Sequence, residues 1–413
     1  MLKQIKQDLD AINTFGKNPP GLGITRLAYS PEDLAARKLV AQYMVDEGLE
    51  VSTDFYGNIF GIRPGLENEP LVLMGSHLDT VPEGGKYDGT AGIVAALAAV
   101  RQINKENIST RYPVGIVIFA AEESSRFGQS LLGSRGFTGN LTAKQIESIT
   151  DLKGKSLKKI LEREQDCLRR KYRPYKPTPL KLYLELHIEQ GPILERNNKK
   201  LGLVQKIAAP SRMSVTFQGC ASHSGATPMG LRKDALVTGA HVIIAVERIC
   251  HNYSQLLKDG TLVGTVGDVK VTPGAMNVVP GKVELLIDIR STDMDTKSKA
   301  VAEVQNYVKD LASERRLDYN IEILEDQEPI ALNNEIIATL ADICDEMAIP
   351  YQRMYSGAGH DAMQVATKYD SALLFIPCGG GLSHNPRETA EARDIALGAS
   401  VLQKALCHYA EIL

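Results

Sequence analysis

The sequence predicts an α/β protein whose central, mostly parallel sheet is interrupted by an inserted βαββαβ unit, and three observations predict it. Leu71–Gly75 is an unbroken apolar run suited to a strand buried on both faces, and beyond a polar loop Gly89–Val100 has the small, apolar content of a packed helix. Val114–Ala121 (VGIVIFAA) is a second fully apolar strand, ending directly in Glu122-Glu123. From Arg212 the rhythm changes to strand 212–218, helix 233–251, strands 261–270 and 282–290, helix 296–314 and strand 319–324. That order is the split βαβ, or ferredoxin-like, unit.

At 413 residues the chain exceeds one ordinary core, so two domains are expected: 1–210 with 330–413, and the insert 211–329. A content of 43% hydrophobic and 23% charged residues excludes the disordered, collagen-like and membrane classes. Net charge of −3 gives no bias toward nucleic acid or anionic lipid, so neither partner is expected. The six cysteines (167, 220, 250, 344, 378 and 407) are scattered without a Cys-x-x-Cys pair, which points to free buried thiols in a reducing compartment and a cytoplasmic protein. The N-terminal MLKQIKQDLDAINTFG has an amphipathic helix pattern, and nothing later approaches the ~18 apolar residues of a membrane span. Secretion and membrane spanning are not expected.

Ser30-Pro31-Glu32-Asp33 reads as an N-cap, a first-turn proline and first-turn acids, and Leu39, Val40, Tyr43 and Met44 follow at helical spacing until Gly48. Strand-like Val51–Phe55 and Ile59–Ile62 come next. Asp151–Lys181 holds eleven Lys or Arg with several prolines and a short helical pattern around Leu157–Leu168; it reads as a solvated connecting segment. Leu180–Ile188 alternates, with Leu180, Leu182, Leu184 and Leu186 on one face, so His187 emerges on the polar face at the strand's far end, just before Glu189 and Gln190. In the insert, Val283, Leu285, Ile287 and Ile289 form a strand face, and Val301, Val304, Val308 and Leu311 a helix stripe. From about 330 the α/β rhythm resumes: a helix near 335–347, an apolar strand Ala372–Pro377, a Gly-rich loop with His384 and a closing helix over about 389–411.

His77, Asp88, Glu123, His187 and His384 all fall in loops or at strand ends of the α/β part, where open sheets bind ligands, and none lies in the insert. Imidazole and carboxylate suit Zn²⁺, Mn²⁺, Co²⁺ or Ni²⁺, and the five ligands exceed what one tetrahedral ion needs; two divalent ions sharing a bridging carboxylate would use them all. Asp79, two residues from His77, is placed to accept that ring's second N–H. Taken singly a strand-end histidine or loop aspartate is usually structural, and Asp88 can simply cap the helix after it. Glu122-Glu123 is the stronger signal, because adjacent carboxylates need a cation or a proton to coexist. With Glu123 on metal, Glu122 is free to act as general base toward a water whose pKa divalent ions lower to ~7, and to return the proton to the leaving nitrogen.

The runs GSHLDTVPEGGKYDG, AAEESSRFGQSLLGSRGFTG, LHIEQGPILE, ASHSGATPMGLRKDA and SHNPRE resemble, in order and spacing, the amidohydrolase branch of the aminoacylase/carboxypeptidase-type metallohydrolases. That branch holds N-carbamoyl-L-amino acid hydrolase, allantoate amidohydrolase and β-ureidopropionase, and the resemblance covers essentially the whole chain. It implies a metallohydrolase catalytic domain interrupted by a dimerisation or lid domain. It further implies one metal on His77, Asp88 and His187, a second on Asp88, Glu123 and His384, and Glu122 as base. His223 is similar to the histidine that crosses from one protomer of a homodimer into its partner's site and stabilises the oxyanion. Asn277 and Arg290 are similar to the pair that holds the substrate carboxylate, and Gln190, Arg212 and Gly359 to positions lining the pocket. An arginine at 212 resembles the allantoate enzymes, its planar fork suiting a carboxylate or ureido oxygen.

The implied activity is hydrolysis of a C–N bond in an N-carbamoyl-L-amino acid or allantoate, releasing ammonia and carbon dioxide. A peptidase or aminoacylase of the same superfamily is the alternative within the enzymes. A non-catalytic ligand-binding homologue is the alternative outside them, and the intact Glu122 counts against it. Plainer readings accompany two residues: Arg290 shares its strand face with Asp288 and Glu284 and can join a surface network, and His223 can be an ordinary loop histidine. His241, His251 and His408 read as structural.

Overall fold

A computed structural model describes residues 1–258 and 260–413. The chain divides into two compact units, one made of Met1–Gln205, Ala331–Met354 and His360–Leu413, the other of Lys206–Ile330 and Tyr355–Gly359.

The first unit is built on a ten-stranded sheet. At its centre Ser371–Ile376, Leu180–Ile188, Leu71–His77 and Val114–Phe119 lie side by side and parallel. Three of these four strands are buried along their whole length, as expected of strands sealed on both faces. Thr90–Lys105 and Ala392–Tyr409 are among the helices packed on them. Antiparallel pairings flank them on both sides: Ile59–Arg63 and then Glu50–Thr53 on one, Leu201–Ile207 on the other. Because the central strands run the same way, their carboxyl ends open on one edge, and His77, Glu122 and His187 arrive there together.

The 151–181 stretch is more than a solvated connection. Helix Leu157–Arg169 buries Leu157, Ile160, Leu161 and Leu168, and it buries Glu164 with them. Arg37, also fully buried, donates through Nη2 to Glu164 Oε2 at 2.9 Å and through Nε to Asp33 Oδ2 at 3.0 Å. The eleven basic residues hid this, because the element is held by its apolar side chains and one acid facing inward, not by the cations facing out. In Glu164→Ala, Arg37 keeps Asp33 but loses the second of its two buried carboxylate partners, so stability is expected to fall by about 1–3 kcal/mol in urea unfolding. A change within experimental error would contradict the pairing.

In the second unit Leu262–Thr272, Lys282–Ser291, Ala209–Gln218 and Asp318–Asp326 lie in that order, every pair antiparallel. With helices Ala235–Leu256 and Met294–Arg315 this is the ferredoxin-like arrangement. Met213, Val215, Phe217, Val283, Leu285, Ile287 and Ile289 meet Val242, Val246, Ile249, Val304 and Val308 in its core. Strand alternation therefore turns Arg212, Asp288 and Arg290 to the opposite face. Among the described residues no helix is long and apolar enough to cross a membrane.

Candidate metal centre

Two histidines present the same edge. His77 Nδ1 lies 3.0 Å from the backbone carbonyl of Asp79, and His187 Nδ1 lies 2.9 Å from that of Ile188. A ring that donates from Nδ1 to a carbonyl leaves the Nε2 lone pair pointing away, the tautomer a metal ligand needs. His187 Nε2 also receives the Gly89 backbone N–H at 3.1 Å. Gly89 has φ of 61°, and a Cβ there would fall 2.5 Å from the His77 ring, so only glycine lets the chain turn this close.

Asp88 lies between the two ligand groups. Its Oδ1 is 3.4 Å from His77 Nε2 and 3.1 Å from His187 Nε2, while its Oδ2 is 3.5 Å from His384 Nε2. His384 Nε2 is 3.2 Å from Glu123 Oε1. Two ligands each ~2.1 Å from a tetrahedral ion are ~3.4 Å apart, so the donor atoms have the spacing of ion-sized sites. His77, Asp88 and His187 form one group with ligand atoms within 4.8 Å of one another, and Asp88, Glu123 and His384 form another. Asp88 does not cap the following helix, whose N-cap is Gly89 with no side-chain cap bond. The groups differ in access: His77 and His187 are 2% and 1% exposed at the side chain, His384 50%.

The protons here are shared among crowded acids and imidazoles. Burial alone would push the Asp88 carboxyl up, but His187 and His77 hold it well below the usual carboxylate range. Burial pushes Glu122 well above that range; His77 opposes the shift and the Glu123 and Asp361 carboxylates add to it. His77 is raised against its burial by Glu122 and Asp88, and a hydrogen bond to Glu123 lifts His384 to about 9. Such a cluster favours cation binding, because an ion can replace several protons at once.

Asp79 does not act on His77 as the spacing suggests. Its carboxylate oxygen is 3.8 Å from Nδ1, and the backbone carbonyl makes the contact instead. The carboxylate is drawn away because it accepts the backbone N–H of Glu122 at 3.2 Å and of Glu123 at 3.0 Å. Gln190 sits at the centre's rim, its Nε2 donating to Asp88 Oδ2 at 2.7 Å. His360, next to Gly359, packs its ring 4.6 Å from that of His187.

The family model for peptidase family M20/M25/M40 matches residues 73–408. The chain belongs to that family. It is 36% identical over 409 residues to the N-carbamoyl-L-amino-acid amidohydrolase of Pseudomonas sp. (strain NS671), covering 98% of this chain and 97% of that one. It is 36% identical over 405 residues to the allantoate amidohydrolase of Escherichia coli (strain K12), covering 96% and 95%. The crystal structure of an amidase of the hydantoinase/carbamoylase family from Burkholderia multivorans superposes with a TM-score of 0.90 at 33% identity, over 99% of this chain and 98% of that one.

The M20/M25/M40 chain carries its remaining candidates in the second unit. Arg290 is closed onto Asp288 by two bonds of 3.0 Å, the intrastrand contact its face suggested. Arg212 donates to the same Asp288 at 3.0 Å and to Glu325 at 2.7 Å, its direct cross-strand partners. Nε and Nη1 of Arg212 are therefore each committed to a carboxylate. His223 and Asn277 are both exposed, His223 in the Ser222–His223/Val278–Val279 pairing and Asn277 just before it, where the Asn277 carbonyl accepts the Ser224 N–H at 3.0 Å. Sequence reasoning passed over Ser383, whose hydroxyl lies 2.8 Å from Asp88 Oδ2, and Glu388, although both belong to the SHNPRE run. Their signal was that motif itself, which one histidine does not exhaust.

Proposed function

We propose that this M20/M25/M40 protein is a divalent-metal-dependent amidohydrolase that cleaves the C–N bond of an N-carbamoyl or ureido acid, with release of ammonia and carbon dioxide. The observation that carries this is the split of Asp88: one oxygen faces His77 and His187, the other His384, with Glu122 Oε2 only 3.8 Å from His77 Nε2. Zn²⁺, Mn²⁺, Co²⁺ or Ni²⁺ held by His77, Asp88 and His187 and by Asp88, Glu123 and His384 would polarise the scissile carbonyl and acidify water. Glu122 lies outside both ligand groups, with its carboxylate beside the His77 edge, the place for a base that takes a proton from water and gives it to the leaving nitrogen. Asp79 holds Glu122 by its backbone.

His223 Nδ1 accepts the backbone N–H of Gly225 at 3.1 Å and of Ala226 at 3.2 Å. Its proton therefore sits on Nε2, an outward donor on an exposed ring, the form that stabilises an oxyanion. We assign it to the site of a partner protomer in a homodimer, with Asn277 and Arg290 for the substrate carboxylate and Gln190, Arg212 and Gly359 along the pocket. Arg212 reaches any substrate with its Nε and Nη1 already on Asp288 and Glu325, which leaves Nη2 as its free donor edge. The cysteines are free, four of them buried as expected but Cys220 exposed and Cys167 partly so, and they support a reducing, cytoplasmic setting.

Metal-reconstituted protein should release ammonia from at least one of allantoate, N-carbamoyl-L-amino acids and N-carbamoyl-β-alanine. Turnover of dipeptides or N-acetyl amino acids alone would make it a peptidase or aminoacylase instead. Sedimentation should give a dimer, and His223→Ala should lower kcat without dissociating it; a fully active monomer contradicts the assignment of His223.

A further inference from the structure

Glu388, the last residue of SHNPRE, plays no part in the function just proposed, yet it is only 3% exposed and lies against the metal ligands. Its Oε1 accepts the backbone N–H of Tyr87 at 2.8 Å and of Asp88 at 3.1 Å. Its Oε2 lies 3.0 Å from the Ser383 hydroxyl, which is itself 2.8 Å from Asp88 Oδ2. The loop before Asp88 is wrapped onto this carboxyl: a Cβ on Gly85 would fall 2.1 Å from Glu388 Cδ. One side chain, 300 positions from Asp88 in sequence, thus joins the loop that carries Asp88 to the turn that carries His384.

We propose that Glu388 is a positioning residue that sets how the two ligand groups share Asp88. Resting on the metal-centre function proposed above, it acts by fixing the Tyr87–Asp88 backbone against the Ser383–His384 turn. A rotation of that backbone would turn both Asp88 oxygens away from the histidines they face. The role depends on reach and acceptor geometry, not on charge. In Glu388→Gln the amide oxygen still accepts both N–H groups and the amide nitrogen donates to Ser383 Oγ, leaving the hydroxyl proton for Asp88. In Glu388→Asp the charge stays but the side chain is shorter by one C–C bond, ~1.5 Å, and cannot hold both loops.

Co²⁺ titration of chelator-stripped wild type, Glu388→Gln and Glu388→Asp, followed by visible absorption, tests this, with the melting temperature of each metal-free protein measured alongside. Glu388→Gln should bind within about threefold of wild type with the same absorption envelope, and Glu388→Asp should bind about 10–100-fold more weakly with an altered envelope. Metal-free melting temperatures should stay together. Both variants titrating as wild type, the reverse order, or a loss that tracks metal-free melting temperature would overturn the role of Glu388. A wild type that takes up no Co²⁺ would overturn the metal centre itself, and this role with it.

Discussion

Glu122→Gln is expected to lower kcat by about 10²–10⁴-fold while substrate binding is retained. The amide is isosteric, so the backbone bond from Glu122 N–H to Asp79 and the local packing survive. What it lacks is a basic oxygen. Glu122 belongs to neither ligand group, so metal content should also be unchanged. Glu123→Gln is the informative contrast: it removes charge from a ligand 3.2 Å from His384 Nε2, so its first effect should be on ion affinity. Steady-state kinetics, calorimetric titration with substrate and elemental analysis of both variants separate the two roles. Unchanged turnover in Glu122→Gln would remove it as the base.

Asp88→Ala is expected to leave the protein with essentially no bound metal and background activity, whereas His384→Ala should retain one ion. The asymmetry follows from geometry, since the Asp88 oxygens serve different groups and His384 serves one. Losing Asp88 also removes the carboxylate between two buried histidines, whose rings stand 5.8 Å apart. Elemental analysis after dialysis against each metal reads the stoichiometry directly. An Asp88→Ala protein that keeps two ions would end the bridging assignment.

The convergence of the five candidate ligands was legible in the sequence because parallel strands export their carboxyl ends to one edge. Apolar runs marked the strands and polar residues immediately after them marked the edge. Elements without such a pattern stayed hidden. Leu132–Thr138 contains Gly133 and Gly136, poor helix formers, and is helical because the surrounding structure packs it. Leu201–Ile207 and Tyr351–Ser356 were passed over because each mixes polar and apolar residues over a short span. The partners of Arg212 were hidden for another reason: Asp288 and Glu325 belong to other strands, and one strand's sequence does not reveal what registers across from it. At Asp79, proximity in sequence pointed to the His77 ring, whereas two backbone amides far along the chain claimed the carboxylate.

That last carboxylate has a wider consequence. Through one pair of oxygens it moors two consecutive residues, one proposed to shuttle protons and one proposed to grip an ion. Any drift of the mooring shifts both tasks in the same direction. A substitution at Asp79 is therefore expected to disturb proton transfer and ion retention together, whereas changes that spare this anchor can alter one without the other.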